Sequence, residues 1–262
     1  MNKCSILGET DVCYPKKSLE EFVNKNIRHK KGDDYKKLVE KYMKKRYNCQ
    51  DVTCWAKHSS IFKRYEGRVL LPKHGWSKNR WLSNHDIYNV LIQFEKYYEP
   101  DFKYLLDWDI DFMAHKKDMK RLTDLINESN DVKYRSLILA LWGTSKKYQY
   151  FKHWTCIFLN KDTKSILFFD STGDIKTTWY VADVIEYISA LTGYKTYIYN
   201  TALIQYDYEH CGIFCVHFIN YMLASKEKNM KTFVESLLTK LTDVGPDEYY
   251  KYIKSLRWMY YI

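Results

Sequence analysis

Residues 153–171 read HWTCIFLNKDTKSILFFDS and contain two strand-like segments separated by a turn. Residues 153–159 and 165–171 are rich in β-branched and aromatic side chains, whereas NKDTK between them is typical of a turn. The pattern predicts a β-hairpin. If a four-residue loop sets Leu159 opposite Lys164, His153 lies opposite Asp170 and within reach of a hydrogen bond. A five-residue loop would place the two side chains on opposite faces, unless a bulge restored the register.

The residues after the hairpin predict a helix, a strand and a second helix. Residues 177–192 carry apolar side chains at helical spacing and end before Gly193, and residues 196–204 are strand-like. Residues 211–222 (CGIFCVHFINYM) predict a mostly buried helix that begins at Cys211. The free amides and positive dipole at a helix N-terminus favour an anion, so Cys211 is well placed to react as a thiolate.

Four residues in this region have the chemistry of a nucleophilic hydrolase. Cys211 would attack a carbonyl, His153 would accept its proton and return it to the leaving amine, and Asp170 would orient the imidazole. Gln205 would donate its amide to the developing oxyanion, together with the backbone N–H of Cys211. His210 adjoins Cys211, but neighbouring side chains at such a turn point apart, so it is a poor candidate for the base.

The same motifs resemble a known group of proteases. His153-Trp154, Phe169-Asp170-Ser171, and Gln205 followed by His210-Cys211-Gly212 are similar to the signature of the ubiquitin-like-protein protease clan, which includes SUMO proteases and the adenovirus maturation protease. Trp81-Leu82 resembles a further motif of that clan, although Asn84 replaces its usual acid. Within the clan, the chain resembles the African swine fever virus type of polyprotein-processing protease in length, in its helical N-terminal arm and in Ser171-Thr172-Gly173. That type has Asn where this chain has Asp170.

The resemblance implies an α+β fold with a papain-like cysteine protease core of the adenain and SUMO-protease type. It also implies cleavage after Gly-Gly in viral structural polyproteins during virion maturation, with Trp154 lining a narrow substrate groove and no cofactor. The cellular branch would instead imply a deSUMOylating or deubiquitinating isopeptidase. An acetyltransferase of the same clan and a basic nucleic-acid-binding module remain as alternatives.

The positive charge of the chain is concentrated at one end. Residues 1–76 hold 18 Lys and Arg against 9 Asp and Glu, which leaves residues 77–262 with only +1 of the total net charge of +10. This asymmetry predicts a basic helical arm over residues 1–76 and a protease core over residues 77–262. The arm either binds DNA or another polyanion, or its lysines form a solvated face.

Composition and cysteine usage limit where the protein acts. An aromatic content of 17% argues against disorder, and no apolar run approaches the roughly 20 residues of a membrane span, so we expect no membrane insertion. The N-terminus lacks the features of a secretory signal, which favours a reducing compartment. The resemblance to viral proteases implies that this is the host cytoplasm and the virion. Seven scattered cysteines predict free thiols. Cys49, Cys54 and His58 have a weak metal-ligand spacing with no clear fourth ligand unless Cys4 or Cys13 supplies one, so we predict no metal.

Further helices follow from periodicity and capping signals. Ser18 and Glu21 predict a capping box at the start of a first helix, and Ser83 predicts the N-cap of another. Two helices after Ser225 are expected to close the core.

Overall fold

The computed structural model describes residues 14–30, 32–50, 52–63, 81–141, 153–226 and 228–260. The chain divides into two compact units, one made of residues 1–76 with 257–262 and the other of residues 77–256. The boundary after residue 76 that we expected from charge lies outside the described residues. Among the helices of the described part, none is both long and apolar enough to span a bilayer.

The first unit is a small helical bundle. Its helices are α1 (Lys16–Asn26), α2 (Tyr35–Tyr47), α3 (Trp55–His58) and α4 (Ser60–Lys63). Aromatic and aliphatic side chains from these helices form its core, with Phe62 stacked against Phe22 at 4.9 Å between ring centroids. The predicted capping box is wrong, because α1 already begins at Lys16 after Pro15, and the Ser18 hydroxyl is buried and donates to the Pro15 carbonyl. Proline suits a helix start because it lacks the N–H that would be unpaired there.

Two cysteines of this unit form a disulfide. Cys49 and Cys54 are bonded, with their Cα atoms 5.5 Å apart, so the prediction of free thiols is wrong for this pair. Asn48 ends α2 in the left-handed conformation and a 3₁₀ turn begins at Val52, and these two bends bring the cysteines together. Cys156, Cys211 and Cys215 of the second unit are free.

The second unit is built on a five-stranded sheet. Its strands are β1 (Phe102–Asp109), β2 (Tyr134–Ala140), β3 (Trp154–Asn160), β4 (Ser165–Phe169) and β5 (Thr196–Tyr199), which lie in that order across the sheet. Strands β2, β3 and β4 are antiparallel, whereas β1 and β5 pair in parallel with their neighbours. Every residue of β2, β3 and β4 is buried, which makes these three strands the centre of the unit.

Within the described residues, six helices accompany the sheet. They are α5 (Asn84–Tyr97), α6 (Lys116–Glu128), α7 (Ile175–Thr192), α8 (Cys211–Ala224), α9 (Met230–Leu241) and α10 (Pro246–Tyr260). The predicted N-cap is present. The side chain of Ser83 accepts from the backbone N–H of Asp86, and the side chain of Asp86 accepts from the backbone N–H of Ser83. Gly193 ends α7 with a positive φ, as expected. The α+β fold is therefore confirmed, with the helices packed around a mixed sheet.

The hairpin is present, but its register differs from the one expected. Asn160 pairs with Ser165, so the four-residue loop runs from 161 to 164. The side chain of Asn160 accepts from the backbone N–H groups of Asp162 and Thr163, which makes Asn160 the last paired residue. Because each strand gains one paired residue, the side chains keep the same faces of the sheet as in the expected register.

Two strands depart from the sequence pattern. Strand β1 was not predicted, because its register with β2 shifts between Tyr104 and Asp107 and this irregularity obscures the alternation. Strand β5 was predicted to reach Ile204 but ends at Tyr199. The side chain of Asn200 ends it by donating to the Asp170 carbonyl at 2.6 Å and accepting from the Ala202 N–H at 2.9 Å.

Candidate active site

His153 and Asp170 form a buried pair at the end of the hairpin. His153 precedes β3 and Asp170 follows β4, and His153 Nε2 lies 2.6 Å from Asp170 Oδ1. The side chain of Asp170 is 1% exposed and that of His153 13% exposed, so bulk water scarcely weakens their interaction. Because Nε2 contacts the carboxylate, Nδ1 is the ring nitrogen left to exchange a proton with a thiol.

Residues next to Asp170 orient its carboxylate. The backbone N–H and the hydroxyl of Thr172 both donate to Oδ1, each at 2.8 Å. Burial favours the neutral acid, but the hydrogen bonds from His153 and Thr172 and the charge of His153 outweigh it and lower the pKa of Asp170. The group is therefore a carboxylate at neutral pH.

Cys211 is the first residue of α8 and lies against the His153 ring. Its side chain is fully buried, and the backbone N–H of Trp154 donates to its sulfur at 3.3 Å. The sulfur also interacts with the His153 imidazole and raises its pKa. The backbone donor and the helix N-terminus both stabilise negative charge on the sulfur.

The charge state of His153 follows from these contacts. Burial lowers the pKa of the imidazole, but the hydrogen bond to Asp170, the charge of that carboxylate and the interaction with Cys211 raise it to about 10. A protonated imidazole between a carboxylate and a sulfur is the arrangement in which a cysteine hydrolase activates its nucleophile.

Gln205 is anchored to the residue that follows Asp170. The hydroxyl of Ser171 donates to Gln205 Oε1 at 2.7 Å, and the Ser171 carbonyl accepts the backbone N–H groups of Ile204 and Gln205, both at 2.9 Å. Gln205 Nε2 donates to the Asp207 carbonyl at 2.6 Å. Sequence reasoning singled out Gln205 but assigned no role to Ser171, whose contact spans 34 residues of chain.

Gly173 allows the two loops to approach this closely. It has a φ of +61°, and a Cβ there would lie 2.5 Å from the backbone carbonyl carbon and oxygen of Ala202. Only glycine fits both the backbone conformation and the space. The Ser-Thr-Gly segment thus orients Asp170, holds Gln205 and admits the neighbouring loop.

Trp154 is a core residue of this structure. It is 2% exposed, its indole N–H donates to the Leu82 carbonyl at 2.8 Å, and it lies near Gly212. This contact explains why Trp81-Leu82 belongs with the other motifs, because Leu82 and the adjoining α5 pack on the start of α8. The predicted contact between Trp154 and substrate stays a prediction.

The other histidines and cysteines of the region are engaged elsewhere. His210 Nδ1 lies 2.7 Å from Asp207 Oδ2, a pairing that the sequence did not indicate. Burial lowers the pKa of His217 to about 4, and its ring contacts the Tyr252 hydroxyl at 3.2 Å. Cys215 is buried and donates to the Trp154 carbonyl at 3.4 Å.

The cysteine and histidine cluster of the arm is not arranged as a set of thiolate ligands. Cys49, Cys54 and His58 lie close enough for their ligand atoms to fall within 4.8 Å of one another. The two sulfurs are joined in the disulfide, however, and a metal binds thiolates. Cys4 and Cys13, which we considered as a fourth ligand, lie outside the described residues.

Comparison with known proteins places these residues in context. The model of a family described as the vaccinia virus I7 processing peptidase matches residues 65–196, which is half of the chain and includes His153 and Asp170. No curated protein matches the chain significantly by sequence.

Several solved structures are similar to this chain at low sequence identity. A crystal structure of the African swine fever virus protease is 15% identical, with 97% of this chain and 95% of that one covered and a TM-score of 0.54. The Xanthomonas campestris effector XopD bound to ubiquitin is 14% identical over 71% and 94% of the two chains, with a TM-score of 0.43. The Ulp1 protease domain in complex with Smt3, the yeast ortholog of SUMO, is 14% identical over 55% and 66%, with a TM-score of 0.40.

Proposed function

The chain belongs to the family of the vaccinia virus I7 processing peptidase and is a cysteine protease, and we propose that it cleaves after Gly-Gly in viral structural polyproteins during virion maturation. In this proposal Cys211 is the nucleophile, His153 the general acid and base, and Asp170 the group that orients the imidazolium. The observation that supports it most is the buried chain of contacts from the Asp170 carboxylate through His153 to the sulfur at the start of α8.

The chemistry follows from these positions. The Cys211 thiolate attacks the scissile carbonyl carbon, and the oxyanion accepts hydrogen bonds from the Gln205 amide and the Cys211 backbone N–H. His153 Nδ1 then donates its proton to the leaving amine as the C–N bond breaks, which leaves a thioester on Cys211. Neutral His153 next takes a proton from water, the resulting hydroxide attacks the thioester, and the thiolate and imidazolium are regenerated.

The preference for glycine has a steric basis. Cys211 is fully buried and the side chain of His153 is only 13% exposed. A peptide can reach such a sulfur only through a narrow approach. Glycine residues fit a narrow approach best because they lack a Cβ. The clan resemblance of the His153-Trp154 and Cys211-Gly212 motifs leads to the same substrate class.

The test is cleavage of matched peptides by the purified chain. We expect hydrolysis of Gly-Gly-X peptides, at least tenfold slower hydrolysis of Ala-Ala-X peptides, and loss of both in Cys211→Ala. Cys215→Ala, which removes a second buried thiol from the same helix, should retain most of the activity. A wild-type chain that neither cleaves a Gly-Gly-X peptide nor reacts with a Gly-Gly electrophile would refute the proposal.

Substrates fused to SUMO or ubiquitin distinguish the cellular type of activity. If the chain releases the modifier from lysine much faster than it cleaves linear Gly-Gly-X peptides, it is an isopeptidase.

We further propose that the protein acts in the host cytoplasm and the virion, with the basic arm holding DNA or another polyanion.

A further inference from the structure

The turn before the candidate nucleophile is organised around a single acidic residue. Residues 205–210 read QYDYEH. The backbone carbonyl of Asp207 accepts the Gln205 amide at 2.6 Å, and its Oδ1 accepts the backbone N–H groups of Glu209 at 2.8 Å and His210 at 3.1 Å. Its Oδ2 lies 2.7 Å from His210 Nδ1. Asp207 therefore contacts the residues on both sides of it in the turn.

These contacts join the two groups that would bind the oxyanion. Gln205 carries the side-chain donor, and His210 immediately precedes Cys211, whose backbone N–H is the second donor. The first amides of a helix have no intrahelical acceptor, so the N–H at the start of α8 is available to a substrate. The distance between the two donors depends on the shape of the turn, and that shape depends on Asp207.

The environment of Asp207 keeps it charged. Its side chain is 13% exposed. Burial raises its pKa, but hydrogen bonds from His210, from the Glu209 backbone and from Tyr249 outweigh burial and lower the pKa to about 2. Charge-assisted hydrogen bonds to a buried carboxylate are stronger than neutral ones, so these contacts stabilise the turn.

The same pairing accounts for a histidine that the reaction does not use. His210 is 5% exposed, and its ring is held by Asp207 and lies 6.2 Å from the ring of Tyr250. The pair of His210 and Asp207, next to Cys211, therefore stabilises the turn.

We propose that Asp207 is a positioning residue that sets the Gln205 amide and the Cys211 N–H at the spacing an oxyanion requires. The inference rests on the proposed function, because it presupposes acyl transfer at Cys211. Asp207 does not touch the reacting atoms. It acts through Gln205 and through the turn that leads into α8.

The experiment measures kcat, KM and the alkylation rate of Cys211 by iodoacetamide in the full chain. Alkylation needs the thiolate and imidazolium but forms no oxyanion, so it reports on the nucleophile alone. For Asp207→Ala we expect kcat on a Gly-Gly-X peptide to fall about 100-fold, in the range seen for loss of an oxyanion donor. KM and the alkylation rate should stay within about twofold of wild type.

Two further variants separate positioning from folding. Asp207→Asn keeps an oxygen that can accept the Glu209 and His210 backbone N–H groups, so it should recover most of kcat. Glu209→Gln removes a charge from an exposed side chain of the same turn and should behave as wild type. In a double-mutant cycle, the combined loss of kcat in Gln205→Ala with Asp207→Ala should be smaller than the two single losses multiplied together, because part of the Asp207 effect is exerted through Gln205.

The outcomes are distinguishable. If wild type cleaves and Asp207→Ala cleaves equally well, or if the two substitutions are additive, the positioning role is wrong. If Asp207→Ala or Asp207→Asn loses alkylation in proportion to kcat, the residue supports the fold and the inference also fails. A wild-type chain without peptidase activity overturns the proposed function itself.

Discussion

At the residue scale, His153 and Asp170, which we propose act in catalysis, also change their affinity for protons when the chain folds. Both side chains are nearly closed to solvent. Their 2.6 Å contact, together with Cys211, raises the pKa of His153 to about 10, while the pKa of Asp170 falls. Each shift is a difference between folded and unfolded states, so the stability of the protein must depend on pH through this pair.

The sign of that dependence can be predicted. The folded chain holds the His153 proton up to about pH 10, whereas the unfolded chain releases it near 6.5. The contribution of His153 to stability is therefore complete below pH 6.5 and is lost as the pH rises through about 10. We expect the unfolding free energy of wild type relative to His153→Gln to fall over this window, by at most about 1.4 kcal/mol per pH unit.

Chemical denaturation at several pH values measures this difference. Asp170→Asn, which removes the carboxylate partner, should show a smaller slope than wild type. Parallel pH profiles for wild type and His153→Gln would show that His153 carries no extra proton in the folded state.

At the element scale, the position of α8 depends on a glycine. A Cβ on Gly212 would lie 3.1 Å from Trp154 Cδ1, 3.2 Å from Leu82 Cβ and 3.3 Å from Ile87 Cδ1. These contacts come from β3, from Leu82 two residues before α5, and from α5 itself. The start of α8 is therefore packed as closely as a residue without a side chain permits.

Gly212→Ala should move the start of α8 relative to the hairpin. We expect kcat to fall at least tenfold, because an error of about 1 Å in a reacting group can cost 100-fold, and stability to fall by about 1–3 kcal/mol. Gly193→Ala is the matched control, because its Cβ meets nothing within 4 Å and only its positive φ is strained. It should lose about 1 kcal/mol of stability in thermal unfolding and keep its peptidase activity. Full activity in Gly212→Ala would mean that the packing tolerates a methyl group.

The hairpin shows why the predicted contact is present although the predicted register is wrong. A register with Leu159 opposite Lys164 and the observed one with Asn160 opposite Ser165 differ by one residue on each strand. Side chains alternate with a period of two, so the faces of His153 and Asp170 are the same in both. The hydrogen bonds that the Asn160 side chain accepts from the turn set the register. The alternation along the strands was sufficient to predict which face of the sheet carries His153 and Asp170.

At the scale of the whole molecule, the positive charge lies on the arm. Helix α2 carries exposed Lys41, Lys44 and Lys45, whereas the protease core has a net charge near zero. A basic helical surface of this kind fits a polyanion.

Binding of duplex DNA at several salt concentrations tests the arm. We expect the affinity of the full chain to fall linearly with the logarithm of salt, and the combined Lys41→Gln, Lys44→Gln and Lys45→Gln variant to reduce that slope by up to about 3. The combined Lys116→Gln, Lys117→Gln and Lys120→Gln variant makes the same change of charge on α6. If the two variants change the salt dependence of DNA affinity equally, or if the affinity does not depend on salt, the lysines of the arm form a solvated face and do not bind a polyanion.

The amino-acid sequence alone determined the local elements and the chemistry they carry: a hairpin with His153 and Asp170, a helix that starts at Cys211, and the clan resemblance of their motifs. These features depend on neighbouring residues and on side-chain periodicity. Only the tertiary structure decided that Ser171 holds Gln205, that Asp207 holds the turn before Cys211, that Cys49 bonds to Cys54, and that β1 lies beside β2. Such contacts, like the one from Trp154 to Leu82 across 72 residues, depend on how separate elements pack, and no local pattern encodes them.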